Sequence, residues 1–342
     1  FNGKNKLIKK GAAIMPVTFG ISFTTTFLNQ ASALIHIYTD GSVNVSTAAV
    51  EMGQGVNEKI RKIAATALAI NEKRIKIDST NTSRIANTSP TAASKGTDLN
   101  GFAVMDACGI LIERLKKVAA DELNQNDLSK IEIKNEIIFY DGKETELTFE
   151  NLVRAAYLKR ISLTAQAHHS TPYIYFNQKT LKGNPFAYHT YGTAIVEVTL
   201  DCLRGIYEVD SVKVVHDCGE NINRVVDMGQ VEGAIAQGIG WMTMEELKWD
   251  GEGKLLTDAL STYKVPDIHA AAKEIKIHFL ENVPNPFGPL FSKAIGEPPF
   301  MYGIGAFFAL MNAMRAFKPD LEIKLSAPLT PERILLDLYC RK

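Results

Sequence analysis

Glu297 is the residue whose neighbours best suit it to move a proton. It sits in Ser292-Lys293-Ala294-Ile295-Gly296-Glu297-Pro298-Pro299-Phe300. A residue before proline is driven to extended backbone, so Glu297 is predicted to lie outside any helix. Pro298 and Pro299 suit the opening positions of one, where a missing N–H costs nothing. The run that follows, to about Phe317, is apolar on nearly every face and predicts a buried helix. Glu297 is thus expected at the N-terminal end of a buried helix, where the helix dipole favours its anion and desolvation favours the neutral acid. Two readings follow: a general base with a tuned pKa, or a helix cap paired with nearby Lys293.

Three further stretches have the residue types of a ligand site. Val50-Glu51-Met52-Gly53-Gln54-Gly55 precedes a predicted amphipathic helix over 56–70, and glycines there let backbone N–H groups approach an anion. Asp227-Met228-Gly229-Gln230-Val231-Glu232-Gly233-Ala234 is predicted to open another helix, with Gln237, Gly238 and Gly240 farther along it. Asn87-Thr88-Ser89-Pro90-Thr91-Ala92-Ala93-Ser94-Lys95-Gly96 is a small-residue loop that would let a large ligand touch backbone, and any loop can look the same. Phe23 and Phe27 read as core aromatics or as rings offered to a planar ligand. His168 and His169 are adjacent in a strand-like segment and point to opposite faces, which argues against a metal pair.

The elements that position these residues follow from periodicity. Residues 1–12 read as a basic, exposed lead-in and 14–27 as a strand running into a loop. Residues 33–47 form a hairpin turning at Asp40-Gly41. A strand is expected at 74–80, a long helix over about 98–123, two short strands in 130–147 and a short helix over 149–159. Strands are predicted at 191–200, 208–216, 255–266 and 274–280, with a short helix near the C-terminus. Two strands joined by a turn, then Met-Gly-Gln and a helix, occur twice. This echo predicts two related lobes, each bringing a glutamine and a glycine to a helix N-terminus. The fold class is α+β, mixed sheets and helices in two lobes, residues 1–185 and residues 186–342, the second carrying Glu297.

Composition narrows the function classes. The 342 residues hold 46% hydrophobic and 22% charged residues, as a soluble globular protein does. Lys+Arg and Asp+Glu both number 38, so net charge points to neither a nucleic-acid nor an anionic-membrane partner. The four cysteines, Cys108, Cys202, Cys218 and Cys340, form no C-x-x-C, which argues against a zinc ribbon or a cysteine-held iron–sulfur cluster. Scattered thiols suit a reducing compartment, and a cytoplasmic location is expected. No signal-peptide pattern is evident, and the apolar run at 300–314 is short for a bilayer span. The chain opens at Phe1, which reads as part of a longer or processed chain.

FGISFT at 19–24, EMGQG at 51–55, NTSPTAAS at 87–94, DMGQVEGA at 227–234 and KAIGEPP at 293–299 occur in that order. Together, and with FLNQASALIHIYTDGSV and STYKVP between them, they resemble the molybdenum-binding region of the xanthine dehydrogenase/xanthine oxidase family over about residues 10–337. The resemblance implies oxidative hydroxylation of hypoxanthine or xanthine at a molybdenum–molybdopterin centre. A glutamate deprotonates Mo–OH, the oxygen attacks the purine carbon and hydride passes to the sulfido ligand. It places that glutamate at Glu297, the ring packed on the purine at Phe23 and a hydrogen-bonding partner of the purine at Thr24. The backbone of Ala93 would approach the metal, with Ala92 beside it. Gln54 and Gln230 would neighbour the cofactor, with Gly53, Gly55, Ser94 and Gly229 near its pterin or phosphate and Lys293 in support. Ser22-Phe23-Thr24 and Pro298-Pro299 favour the purine branch over aldehyde oxidases. Gly96 departs from the family, where serine is common. The resemblance covers only the C-terminal half of the molybdenum region. The other half, with a purine-orienting glutamate and arginine and a second phenylalanine, is expected elsewhere, as are FAD and [2Fe-2S] domains or subunits in a larger, oligomeric complex. The isolated chain is therefore expected to be inactive. An aldehyde or other N-heterocycle hydroxylase, or a non-catalytic cofactor-binding module, are the alternative readings.

Overall fold

A computed structural model describes residues 1–340 except residue 323. Two four-stranded sheets share one arrangement of strands, although their outer antiparallel strands come from opposite sides of the unit in sequence. The first has the order β4-β3-β2-β8, built from β2 (Gln30–Ile37), β3 (Val43–Thr47), β4 (Ile75–Ile77) and β8 (Thr164–Ser170). The second has the order β13-β12-β11-β1, built from β1 (Ile8–Ile21), β11 (Tyr188–Asp201), β12 (Ile206–His216) and β13 (Ile275–Phe279). In each, an antiparallel hairpin leads through a helix to a parallel edge strand. That helix is α1 (Val56–Leu68) in the first and α4 (Arg224–Thr243) in the second. The repeated sequence pattern is therefore a repeated fold unit. The hairpin of the first unit turns at Asp40-Gly41, with Gly41 at φ +77°, as a tight turn requires.

The rest of the first half is α2 (Gly96–Glu122), α3 (Phe149–Leu158) and the sheet of β5 (Ile131–Lys134), β6 (Ile137–Tyr140) and β7 (Lys143–Thr148). Its core is the apolar stripe of α1 and α2 against β2 and β3, through Ile60, Ile63, Leu111 and Leu115. A small ribbon, β9 (Tyr175–Asn177) with β10 (Lys182–Asn184), leads to the second half. There α5 (Phe300–Gly303) and α6 (Gly305–Phe317) lie on β1 and β11, and α7 (Pro331–Leu335) closes the chain. The segment Phe300–Phe317 is apolar and long enough to cross a membrane by length and composition. In this fold it is a core element, with Tyr302, Ala306, Leu310 and Met314 fully buried.

Five expectations change. β1 starts at Ile8 and pairs with β11 from Ile8↔Asp201 to Ile21↔Tyr188, so residues 8–12 are sheet, not lead-in. The same pairing crosses the expected division at residue 185, because the N-terminal strand completes the second sheet. Residues 255–266 form no strand beyond a single bridge, Trp249↔Leu255. Of residues 74–80 only Ile75–Ile77 pair, and 130–147 hold three strands rather than two.

The helix behind Glu297 is fixed by Tyr302. Its ring is fully buried and its hydroxyl is 2.7 Å from His216 Nδ1. Burial pushes His216 down to about 4, so it is neutral at physiological pH. A β-carbon added at Gly192 would lie 1.8 Å from the Tyr302 hydroxyl and 2.7 Å from the Val215 carbonyl. Overpacking of this kind costs ~1–3 kcal/mol and more where backbone must yield. Gly192→Val is expected to lower the unfolding midpoint in urea clearly, while Gly229→Ala, at an exposed helical position where a β-carbon meets nothing within 4 Å, raises it slightly.

Candidate active site

Glu297 lies where two cavities meet. One, of about 190 Å³, is lined by Gln54, Lys59, Thr91, Ala92, Ser94 and Gln230, with residues 292–297 as its other wall. The second, of about 490 Å³, is lined by Gly20, Ser22, Ala93, Phe186 and His189. Glu297 borders both.

The loop conformation comes from the prolines and from Ser94. Pro299 is the N-cap position of α5 and no side chain caps that helix. The Glu297 N–H donates to Ser94 Oγ at 2.7 Å. Ala93 and Ser94 both have φ +53°, a left-handed conformation that costs non-glycine residues energy and tends to cluster at functional sites. The turn just before α2 is thereby folded tightly against the Glu297 loop.

This geometry separates the two readings of Glu297. Lys293 Nζ lies 2.5 Å from Asp217 Oδ2 and donates to the His189 carbonyl at 3.0 Å. The lysine expected to neutralise Glu297 is engaged elsewhere, and Glu297 caps no helix. Desolvation raises the Glu297 pKa above its ordinary value, opposed by a backbone hydrogen bond from Ala93. The residue remains exposed to solvent. A carboxyl tuned upward, unpaired among the described residues and rigidly mounted suits a general base.

The N-termini of α1 and α4 meet at the first cavity. Gly55, at φ +76°, lets its backbone approach Val226 so closely that a β-carbon would lie 2.6 Å from Val226 Cγ1. Beside this contact Lys59 Nζ lies 2.5 Å from Asp227 Oδ1, a pair almost completely buried. Gln54 and Gln230 are thereby brought to one wall.

Several expected residues sit differently. Gly53 and Gly55 do not offer free N–H groups: both donate to Glu51 Oε1 at 2.9 Å, and Asn57 N–H donates to Glu51 Oε2 at 3.0 Å. Burial raises the Glu51 pKa, but these donors outweigh it and hold the carboxyl below its ordinary value. The anion at this helix end is the protein's own. Gln54 is partly committed too, accepting from Met52 N–H and donating to the Val50 carbonyl. Asn223 caps α4, accepting from Val226 N–H at 3.2 Å, so Gly229 and Gln230 lie in its second turn rather than at its N-terminus. Gln230 lines the cavity; Gly229 does not. Phe23 and Thr24 line neither cavity. Their loop is pinned by Asn29, which accepts from Phe23 N–H and donates to its carbonyl. Their neighbour Ser22 does border the Glu297 cavity, and the phenylalanines there are Phe19 and Phe186.

Phe186, His189 and Lys59 lie outside the motifs of the sequence: Phe186 and His189 carry none, and Lys59 sits in an ordinary helical turn marked only by its burial. Asp227 opens DMGQVEGA, but its pairing with Lys59 depends on distant chain.

Among the described residues no three His, Cys, Asp or Glu converge as a metal cluster, so a metal here would have to bring its own ligands, as one held by a pterin dithiolene does. The first cavity offers amides at Gln54 and Gln230 and hydroxyls at Thr91, Ser94 and Thr97, a donor–acceptor set that suits a polar heterocycle such as a pterin. The left-handed small residues at 93–94 leave backbone open between both cavities. The residues fit the group.

The comparisons with known proteins agree. A model of the molybdopterin cofactor-binding domain matches residues 1–271. Over 98% of its length the chain is 41% identical to xanthine dehydrogenase/oxidase of Felis catus, and over 99% it is 39% identical to xanthine dehydrogenase 2 of Arabidopsis thaliana. It spans 24% of the length of each. Among solved structures, quinoline 2-oxidoreductase from Pseudomonas putida 86 superposes with a TM-score of 0.84 at 25% identity, covering 99% of this chain and 43% of that one. Aldehyde oxidoreductase from Desulfovibrio gigas shares the fold, with a TM-score of 0.76 at 23% identity, over 98% of this chain and 33% of that one. The α+β chain with its paired units and the Glu297 loop belongs to the molybdopterin cofactor-binding domain family, as the corresponding region of the xanthine dehydrogenases does.

Proposed function

We propose that the chain supplies the general base and part of the cofactor wall of a cytoplasmic molybdenum hydroxylase acting on hypoxanthine or xanthine. The observation that carries this reading is the position of Glu297, a carboxyl tuned upward and unpaired among the described residues, on the boundary of two cavities. When bound, molybdenum–molybdopterin supplies the oxygen-transfer and two-electron chemistry. Gln54, Gln230, Ala92 and Ser94 would hold the cofactor in the first cavity, and Ala93 lies where the second meets Glu297. Glu297, as the carboxylate, accepts a proton at the junction; Ser94 fixes its backbone so that the carboxyl need not search for its partner. Ser22, Phe186 and His189 form the substrate-side wall, and a planar purine suits the Phe186 ring. The remaining half of the molybdenum region, with FAD and [2Fe-2S] groups, belongs to the rest of the complex, without which the isolated chain turns nothing over.

The relatives at about 40% identity carry xanthine in their names, which favours purine over the quinoline and aldehyde named in the solved structures. The full-length protein is expected to hold molybdenum and pterin and to oxidise xanthine with a higher kcat/KM than quinoline or an aromatic aldehyde. Absence of the metal and pterin removes the hydroxylase assignment, and preference for either other substrate removes the purine one. Metal analysis and steady-state rates decide both.

A further inference from the structure

The loop carrying Glu297 is tied to the start of α2 a second time, deeper in the protein. Lys95 Nζ lies 2.9 Å from Asp98 Oδ2, with both side chains only 2% exposed. Tyr188, at the head of β11, donates its hydroxyl proton to the same oxygen at 2.6 Å. The Tyr188 hydroxyl oxygen accepts from the Ala294 N–H at 2.9 Å. Lys95 Nζ stands 5.6 Å from the centre of the Tyr188 ring. The order of these contacts has a chemical logic. Asp98 Oδ2 is the shared acceptor of Lys95 Nζ and the tyrosine hydroxyl, and it takes the single tyrosine proton. The tyrosine oxygen is then left as an acceptor, and the Ala294 N–H uses it.

A buried ion pair is a costly way to stabilise a fold, since desolvation offsets much of its attraction and apolar residues often do as well. What this one does is fix a direction. The segment 294–297 is held at its start by Tyr188 and at its end by Ser94. Both anchors lead back to one turn, residues 94–98. We propose that Lys95, Asp98 and Tyr188 are positioning residues for Glu297, holding its loop so that the carboxyl stays at the junction of the two cavities. The inference rests on the reading of Glu297 as the base.

Tyr188→Phe keeps the ring and removes the acceptor. In the full-length, molybdenum-loaded protein it is expected to lower kcat about tenfold with KM nearly unchanged, because small misplacements of a reacting group cost rate rather than binding. Amide hydrogen exchange by mass spectrometry is expected to accelerate in peptides covering 292–298 and not elsewhere. The double variant Lys95→Met/Asp98→Asn removes both charges while keeping an acceptor for Tyr188, and is expected to change kcat and local exchange in the same direction. It serves as the readout if Tyr188→Phe does not fold. Normal kcat in these variants overturns the proposal, whether exchange accelerates or not; so does accelerated exchange throughout the protein, which marks a general loss of stability. Glu297→Gln is measured alongside. If it retains full turnover, the base reading falls. If it is inactive while the positioning variants keep normal kcat and slow exchange, only the positioning role falls.

Discussion

Glu297→Gln in the full-length protein is expected to lower kcat with xanthine by ~10³-fold, the middle of the range for loss of a positioned general base, while molybdenum content stays at the wild-type level. The glutamine keeps the shape of the side chain, and the Glu297 N–H contact with Ser94 is a backbone contact that survives the change. Loss of rate therefore reports loss of the proton acceptor. The pH dependence has a definite sign. The base acts as its anion, and desolvation raises its pKa above the ordinary 4.5, so the acid limb of kcat/KM should lie above the usual carboxylate range and disappear in the variant. Stability should move the other way. A carboxyl whose pKa is raised on folding binds its proton more tightly in the folded state. Its favourable contribution is complete below the unfolded value and is lost as pH rises through the folded one. Glu297→Gln should thus melt at a higher temperature than wild type at neutral pH and converge with it below about pH 4. Unchanged turnover with full metal content would remove Glu297 from the mechanism.

The parts of this molecule legible in the sequence are those that depend on near neighbours. Asp40-Gly41 between alternating runs specified its hairpin, and the amphipathic pattern over 56–70 specified α1. Pro298 and Pro299 set the backbone at Glu297 whatever surrounds it. What escaped depends on distant chain. β1 pairs with β11, far along the sequence, and nothing within residues 1–21 names that partner. Residues 255–266 have a strand-like composition and find only the bridge at Trp249, because pattern supplies a strand's faces and not a free edge to pair with. The site shows the same division. Glu51 stood in plain view inside the motif, yet the glycines around it read as donors to a ligand rather than to Glu51 itself. Lys95 was one charge in a polar loop, and lysine is ordinarily exposed. Its spacing of three from Asp98 was the only local sign of a pair; the burial that gives the pair its meaning comes from Tyr188 and the Glu297 loop.

The pairing of Gln54 with Gln230 has the same long-range origin, and it rests on Lys59 and Asp227. Their 2.5 Å contact lies between the first turns of α1 and α4, with side chains 10% and 4% exposed. Lys59→Met is expected to reduce the unfolding free energy by ~3–5 kcal/mol, since it strands Asp227 as an uncompensated buried charge. Molybdenum content should fall with it, because the two helix ends that place Gln54 and Gln230 on one wall lose their tie. Lys59→Met/Asp227→Leu removes both charges and should regain most of the stability, as apolar replacements of buried pairs commonly do. Urea unfolding and metal analysis of the two variants then separate geometry from charge. Lys59 is already neutralised by Asp227, so recovery of molybdenum together with stability is the expected result. Recovery of stability without molybdenum would mean that Lys59 acts on the cofactor directly, and that the pair is a binding element rather than a clamp between the two repeated units.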